Sequence, residues 1–133
     1  MTSSLDKTIN DVEISLAVLR VLADNSFDSV MITDSSKAGK IIYTNKAFTA
    51  LTGYTGDDVI GKTPRILQGP ATDKTVIGRL RKSLAGGKRF EGRAINYKKG
   101  GIPFIMQWRV VPVKLGKNTK VWLAIQREGN SVS

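Results

Sequence analysis

The chain has 133 residues, with 21 Lys and Arg against 11 Asp and Glu for a net charge of +10, and it contains neither cysteine nor histidine. The length suits a single domain with a real core, and the missing residue types exclude disulfides, thiolate nucleophiles, Cys/His zinc sites and histidine-bound haem. No run approaches the roughly 18–20 apolar residues that cross a bilayer, and the start "MTSSLDKTINDVE" lacks the basic-then-apolar order of a secretion signal, so a cytoplasmic protein without membrane attachment is expected.

Leu5, Ile9, Val12, Leu16, Leu19 and Ala23 recur at alternating four- and three-residue steps. This predicts an amphipathic helix over residues 1–25, capped by Ser3, ended by "ADNS" and carrying a seam of the kind that packs on another helix. A second apolar set, Ile14, Val18, Val21 and Leu22, widens the face. The helix then serves either as an intramolecular lid or as a contact with its own domain and a partner chain together.

"SVMITD" and "IIYTN" read as strands joined by the turn "SSKAGK". Short helices follow in "NKAFTALTGY" and "TGDDVIG", with Asn45 and Thr55 as N-caps and Gly53 and Gly61 as stops. A longer helix, "TDKTVIGRLRKSLAGG", takes its cap from Thr72 or Asp73 and closes at Gly86. The last third alternates in three strands, "RFEGRAINY", "IPFIMQWRVVPV" and "KVWLAIQRE". The fold class is therefore α+β: a five-stranded antiparallel sheet with helices on one face and an N-terminal flanking helix, a cup that can hold a small molecule.

Alternation places Phe90, Gly92, Ala94 and Asn96 on one strand face, Phe104, Met106, Trp108 and Val110 on another, and Trp122, Ala124 and Gln126 on a third. If these faces converge, the amides of Asn96 and Gln126 sit in an aromatic pocket and need partners, which a ligand with carbonyl and imide edges would supply. Arg65 and Arg81 lie on the helical side, where guanidinium forks suit a phosphate; read singly, each is a solvated surface charge. The remaining cations form local groups in "RLRKSLAGGKR" and "NYKKGG" without interleaved aromatics, which favours a solvated basic surface over nucleic-acid binding. No nucleophile and base are paired by motif, and Asp57 with Asp58 reads as a helix-start charge pattern, so no enzyme is expected.

The segments "NKAFTALTGYTGDDVIGK", "RILQGPATD" followed by Arg81, "INYKKGGIPF" and "WLAIQRE" carry a resemblance. The span 26–128 resembles a PAS domain, closest to the light-oxygen-voltage (LOV) branch that binds FMN, between the N-terminal helix and a polar tail at 129–133. The resemblance implies that Gln68 contacts the ribityl chain, Arg65 and Arg81 the phosphate, and Asn96 and Gln126 the polar edge of the isoalloxazine. Thr33 and Met31 would line the first-strand wall, with Ala124 as the small residue beside the ring.

Four positions depart from the family pattern. Its asparagine and adduct-forming cysteine fall on Thr63 and Pro64, so a cysteinyl adduct is chemically excluded, although Thr63 can still hydrogen-bond a ribityl chain. A second asparagine falls on Met106, which donates no hydrogen bond, and a smaller aromatic falls on Trp108. With Trp122, Trp108 either packs the core or stands near enough to give an electron to an excited flavin.

The resulting expectation is a sensory domain that binds FMN, rather than FAD, without a covalent bond, and that signals through redox change and hydrogen bonding at Gln126. Its expected partners are a second copy, met through the N-terminal helix and sheet surface, and an effector domain. The alternative is a flavin-free PAS relay or dimerisation module, or a sensor of another small ligand, in a histidine kinase or diguanylate cyclase.

Overall fold

The computed structural model describes residues 4–130. Helix α1 spans Ser4–Asp24, and strands β1 (Ser29–Asp34) and β2 (Ile41–Thr44) form the predicted hairpin. Helices α2 (Lys46–Thr52) and α3 (Gly56–Val59), a 3₁₀ turn (Pro64–Leu67) and helix α4 (Lys74–Ala85) precede β3 (Phe90–Tyr97), β4 (Pro103–Lys114) and β5 (Lys120–Glu128). The strands make one antiparallel sheet in the order β2-β1-β5-β4-β3.

Period-two alternation gives this sheet two apolar faces. On the inner face Met31, Phe90, Met106, Trp108, Trp122 and Ala124 pack with Phe48, Val59 and Leu67 from the short helices and the turn. On the outer face Val30, Ile32 and Val121 are buried against Ala23, with Val12, Leu16, Leu19 and Leu123 packed around them. The α1 seam therefore rests on the sheet of its own chain, not on another helix. Side-chain spacing alone does not reveal whether the opposing surface is a helix or a sheet. The predicted cap Ser3 and the side chains of Leu5 and Ile9 lie outside the described residues.

The predicted caps locate the short helices. Thr55 and Asp58 close a reciprocal capping box on α3, and Gly53 ends α2 in the left-handed region at φ 78°, where a residue without Cβ is at no disadvantage. On α4 the cap is Asp73, whose Oδ1 accepts from Thr75 N at 2.8 Å. Thr72 instead bridges the loop before α4 to β3, since its hydroxyl donates to the Ile95 carbonyl at 2.7 Å and accepts from Gly69 N at 3.0 Å. Arg79 of α4 likewise donates to the Glu91 carbonyl at 3.0 Å, so two side chains tie the outer edge of β3.

Asn45 caps α2 and does more. Its Oδ1 accepts from Phe48 N at 3.0 Å and from Val30 N at 2.9 Å, while its Nδ2 donates to the carbonyls of Ala23 at 2.7 Å and Asp28 at 3.0 Å. One side chain, 4% exposed, thus joins the end of α1, the start of β1 and the start of α2.

Replacing Asn45 with Ala leaves two backbone N–H groups and two carbonyls without this partner, and we expect a loss of about 2–4 kcal/mol in urea unfolding; a change below about 0.5 kcal/mol would contradict this role. The Thr55 backbone N–H, followed by the Lys99 ammonium 3.1 Å away, holds the Asp58 carboxyl below its usual range. A depressed carboxylate contributes its stability above the unfolded-state pKa and loses it as pH falls through the lower folded-state value. The melting temperature of Asp58→Asn should therefore lie below wild type at neutral pH and converge with it as pH falls through that lowered value.

Candidate functional site

The register of β3, β4, β5 and β1 sets one row of residues across the inner face. Gly92 lies opposite Trp108, Trp108 opposite Gln126, and Gln126 opposite Ser29. Above this row the 3₁₀ turn and α4 enclose a cavity of about 40 Å³. The sheet contributes Met31, Asn96, Met106, Trp108 and Gln126, the turn contributes Pro64, Leu67 and Gln68, and α4 contributes Ile77 and Leu80.

Pro64 stands at the first position of the turn, where its fixed φ suits helical backbone and its missing N–H goes unused. Its ring walls the cavity, so the residue that removes the thiol also fills part of the space. Gln68 ends the turn, its N–H donating to the Arg65 carbonyl at 2.9 Å. Apolar positions at helical spacing were the only sequence signal for Leu67, Ile77 and Leu80, and no signal pointed to Ser29 until the register was known.

The two buried amides behave differently. Asn96 has two orientations related by a half-turn of its amide. In one, Nδ2 donates to the Met106 thioether at 3.1 Å; in the other, it donates to the Ile95 and Leu67 carbonyls at 3.2 Å each. Carbonyl oxygens are far better acceptors than a thioether, so the second arrangement prevails and ties β3 to the turn. The Asn96 nitrogen is thus satisfied within the chain, whereas its Oδ1 accepts no hydrogen bond among the described residues.

Gln126 is 2% exposed, and its Oε1 accepts from Ser29 Oγ at 2.9 Å. Its Nε2 makes no hydrogen bond among the described residues. Among the described residues no buried side-chain nitrogen or oxygen lacks a partner, and Gln126 lines the cavity, so that nitrogen is open to it.

Six of the expected residues, Met31, Gln68, Asn96, Met106, Trp108 and Gln126, are brought together on the cavity. Thr33 is buried opposite Trp122, and Ala124 is buried between Met31 and Val110 in the core; neither borders the cavity. Thr63 precedes the turn and makes no side-chain cap. Arg65 and Arg81 are exposed on the elements that roof the cavity, and among the described residues neither forms an ion pair. Trp108 packs against Phe90 with ring centroids 5.3 Å apart, whereas Trp122 lies off the cavity beneath Lys120.

These groups can be tested against FMN. Two unpaired guanidinium groups, the Gln68 amide and the open Gln126 nitrogen match its phosphate, ribityl hydroxyls and ring carbonyls. The volume does not match: cofactor pockets run to about 300–1,000 Å³, so a flavin ring enters only if the turn and α4 move outward. Ile77 is the buried side chain of α4, with Val76, Leu80 and Leu84 partly buried beside it.

A family model described as "PAS domain" matches residues 28–128. Phototropin-1A of Oryza sativa subsp. japonica is 43% identical over 74 residues, which is 56% of this chain and 8% of that protein. A blue-light-activated histidine kinase of Brucella anthropi is 43% identical over 74 residues, 56% of this chain and 15% of that protein. Among solved structures, the LOV domain of an Erythrobacter litoralis blue-light activated histidine kinase superimposes with a TM-score of 0.73 at 29% identity, covering 78% of this chain and 97% of that one. The chain thus spans a small part of the curated relatives it matches. Strand order, inner-face pattern and the match over 28–128 agree: this chain belongs to the PAS domain family.

Proposed function

We propose that the chain is the sensory module of a larger signalling protein and that its cavity takes FMN without a covalent bond. The observation that carries this reading is the open Nε2 of Gln126, a buried amide donor at the wall of an otherwise largely apolar cavity roofed by elements with unpaired arginines. Arg65 and Arg81 would hold the phosphate, Gln68 the ribityl chain, and Gln126 a ring carbonyl. Bound there, the flavin supplies light absorption and electron transfer.

The chain contributes binding, orientation and exclusion of water, and no catalysis of its own. A change in what the ligand offers Gln126 alters its hydrogen bond to Ser29, and so the seam between β5 and β1 on whose outer face α1 rests. FMN is preferred to FAD because the clamp offers two guanidinium groups for one terminal phosphate. A second reading, a flavin-free PAS relay in a histidine kinase or diguanylate cyclase, is favoured by the 40 Å³ cavity and by the Asn96 nitrogen being bonded within the chain.

The partners proposed are an effector domain and a second copy. Ile14, Val18, Val21 and Leu22 of α1 are 53–64% exposed, a stripe of apolar side chains on the helix face turned away from the sheet.

Protein purified without added cofactor should show a structured blue absorption band, or gain one on addition of FMN. A colourless sample that takes up no FMN would establish the flavin-free reading. In a binding chain, Arg65→Ala with Arg81→Ala should weaken FMN by about ten- to a hundredfold and leave riboflavin nearly unchanged, because only FMN carries the phosphate. For the second copy, Val18→Glu with Leu22→Glu should convert a dimer to a monomer by light scattering at unchanged melting temperature; a wild-type monomer at high concentration would remove that proposal.

A further inference from the structure

The positive charge of the chain is concentrated. Residues 62–93 carry nine Lys and Arg against two acidic residues, and so hold seven of the ten net charges. The segment starts beside β2, where Ile41 N donates to the Lys62 carbonyl, and crosses the inner face to α4, which lies against β3 at the other edge of the sheet. Both acids are occupied, Asp73 as the α4 cap and Glu91 in an ion pair with Arg109. Lys74, Lys82, Lys88 and Arg89 are exposed, and among the described residues they form no ion pair. Lys74, Arg81 and Lys82 therefore share the outer face of α4 with no acidic ion-pair partner among the described residues.

Gly78 lies at the middle of this face. At helical spacing its neighbours are Lys74, Thr75, Arg81 and Lys82, all exposed. A glycine in a helix interior is destabilising relative to alanine. Nothing within the protein calls for it here: a Cβ at Gly78 would meet no atom within 4 Å, and its backbone is ordinary helix. The position is a shallow hollow ringed by three cations, and a hollow of this kind admits another backbone at close range.

We propose that the outer face of α4 docks an acidic helix of a partner protein, whose backbone crosses at Gly78 and whose carboxylates reach Lys74, Arg81 and Lys82. Nucleic acid fits less well. No aromatic side chain is exposed among these cations to stack on a base, since Phe90 is buried, and the face is a convex helix surface instead of a groove. A lipid surface fits less well too, because none of the exposed large apolar residues falls within 62–93 to insert between headgroups. The proposal shares Arg81 with the phosphate contact proposed above, so its test rests on Lys74, Gly78 and Lys82, which the cavity reading does not use.

The test titrates the full chain, followed by amide NMR, with three probes: an acetylated and amidated Glu/Ala helical peptide, the same composition broken by a central proline, and short duplex DNA. The helical peptide should move the resonances of residues 74–82 and bind about tenfold more tightly than its proline isomer, with affinity falling between about 50 and 200 mM salt. Gly78→Leu should weaken it about tenfold while the melting temperature stays level or rises by a few degrees, since leucine is the better helix former. Lys74→Glu with Lys82→Glu should abolish binding. Equal binding of the proline isomer, tighter binding of DNA, no saturable shift at all, or indifference to Gly78→Leu would each overturn the proposal.

Discussion

A sheet that is apolar on both faces must be covered on both, and most of this molecule follows from that constraint. The outer face needs one long amphipathic element and receives α1. The inner face curves under α2, α3, the 3₁₀ turn and α4, none of which is long enough to cover it alone. The two coverings are not independent, because Asn45 holds the end of α1, the start of β1 and the first turn of α2 with one side chain. The inner roof and the outer lid therefore meet at a single buried amide.

Within the cavity, three of the four departures from the LOV pattern act in one direction. Pro64, Met106 and Trp108 each replace a reactive or smaller or more polar group with bulk, and the space that remains is about 40 Å³. What survives of the polar equipment is asymmetric: Asn96 is turned to structural use, whereas Gln126 keeps one donor free. A ligand recognised here is read mainly by shape and by that one amide, with charge recognition kept at the rim.

The sequence made the inner-face residues legible because antiparallel strands alternate strictly, so Asn96, Met106, Trp108 and Gln126 could be assigned to their faces before any pairing was known. Caps were legible for the same local reason, as at Asn45, Thr55 and Gly53. Pairing register is non-local and was not, which is why Ser29 escaped notice as the partner of Gln126. The opposing surface of α1, the choice of Asp73 over Thr72 as cap, and the bond from the Asn96 nitrogen to the Leu67 carbonyl all depend on residues far apart in the chain. So does the size of the cavity, which is a difference between large packed volumes that no spacing rule measures.

The two ties from α4 and its leading loop to the carbonyls of Glu91 and Ile95 have a consequence for the protein in bulk. β3 ends the sheet, and an edge strand with free carbonyl and amide groups is a template on which another chain can add a strand. Arg79 and Thr72 occupy two of those carbonyls. The same helix must lift for anything large to enter the cavity, and lifting it bares the edge. A chain that spends time open is therefore exposed to strand-by-strand association with its neighbours, so whatever fills or closes the cavity also guards against fibrillar aggregation.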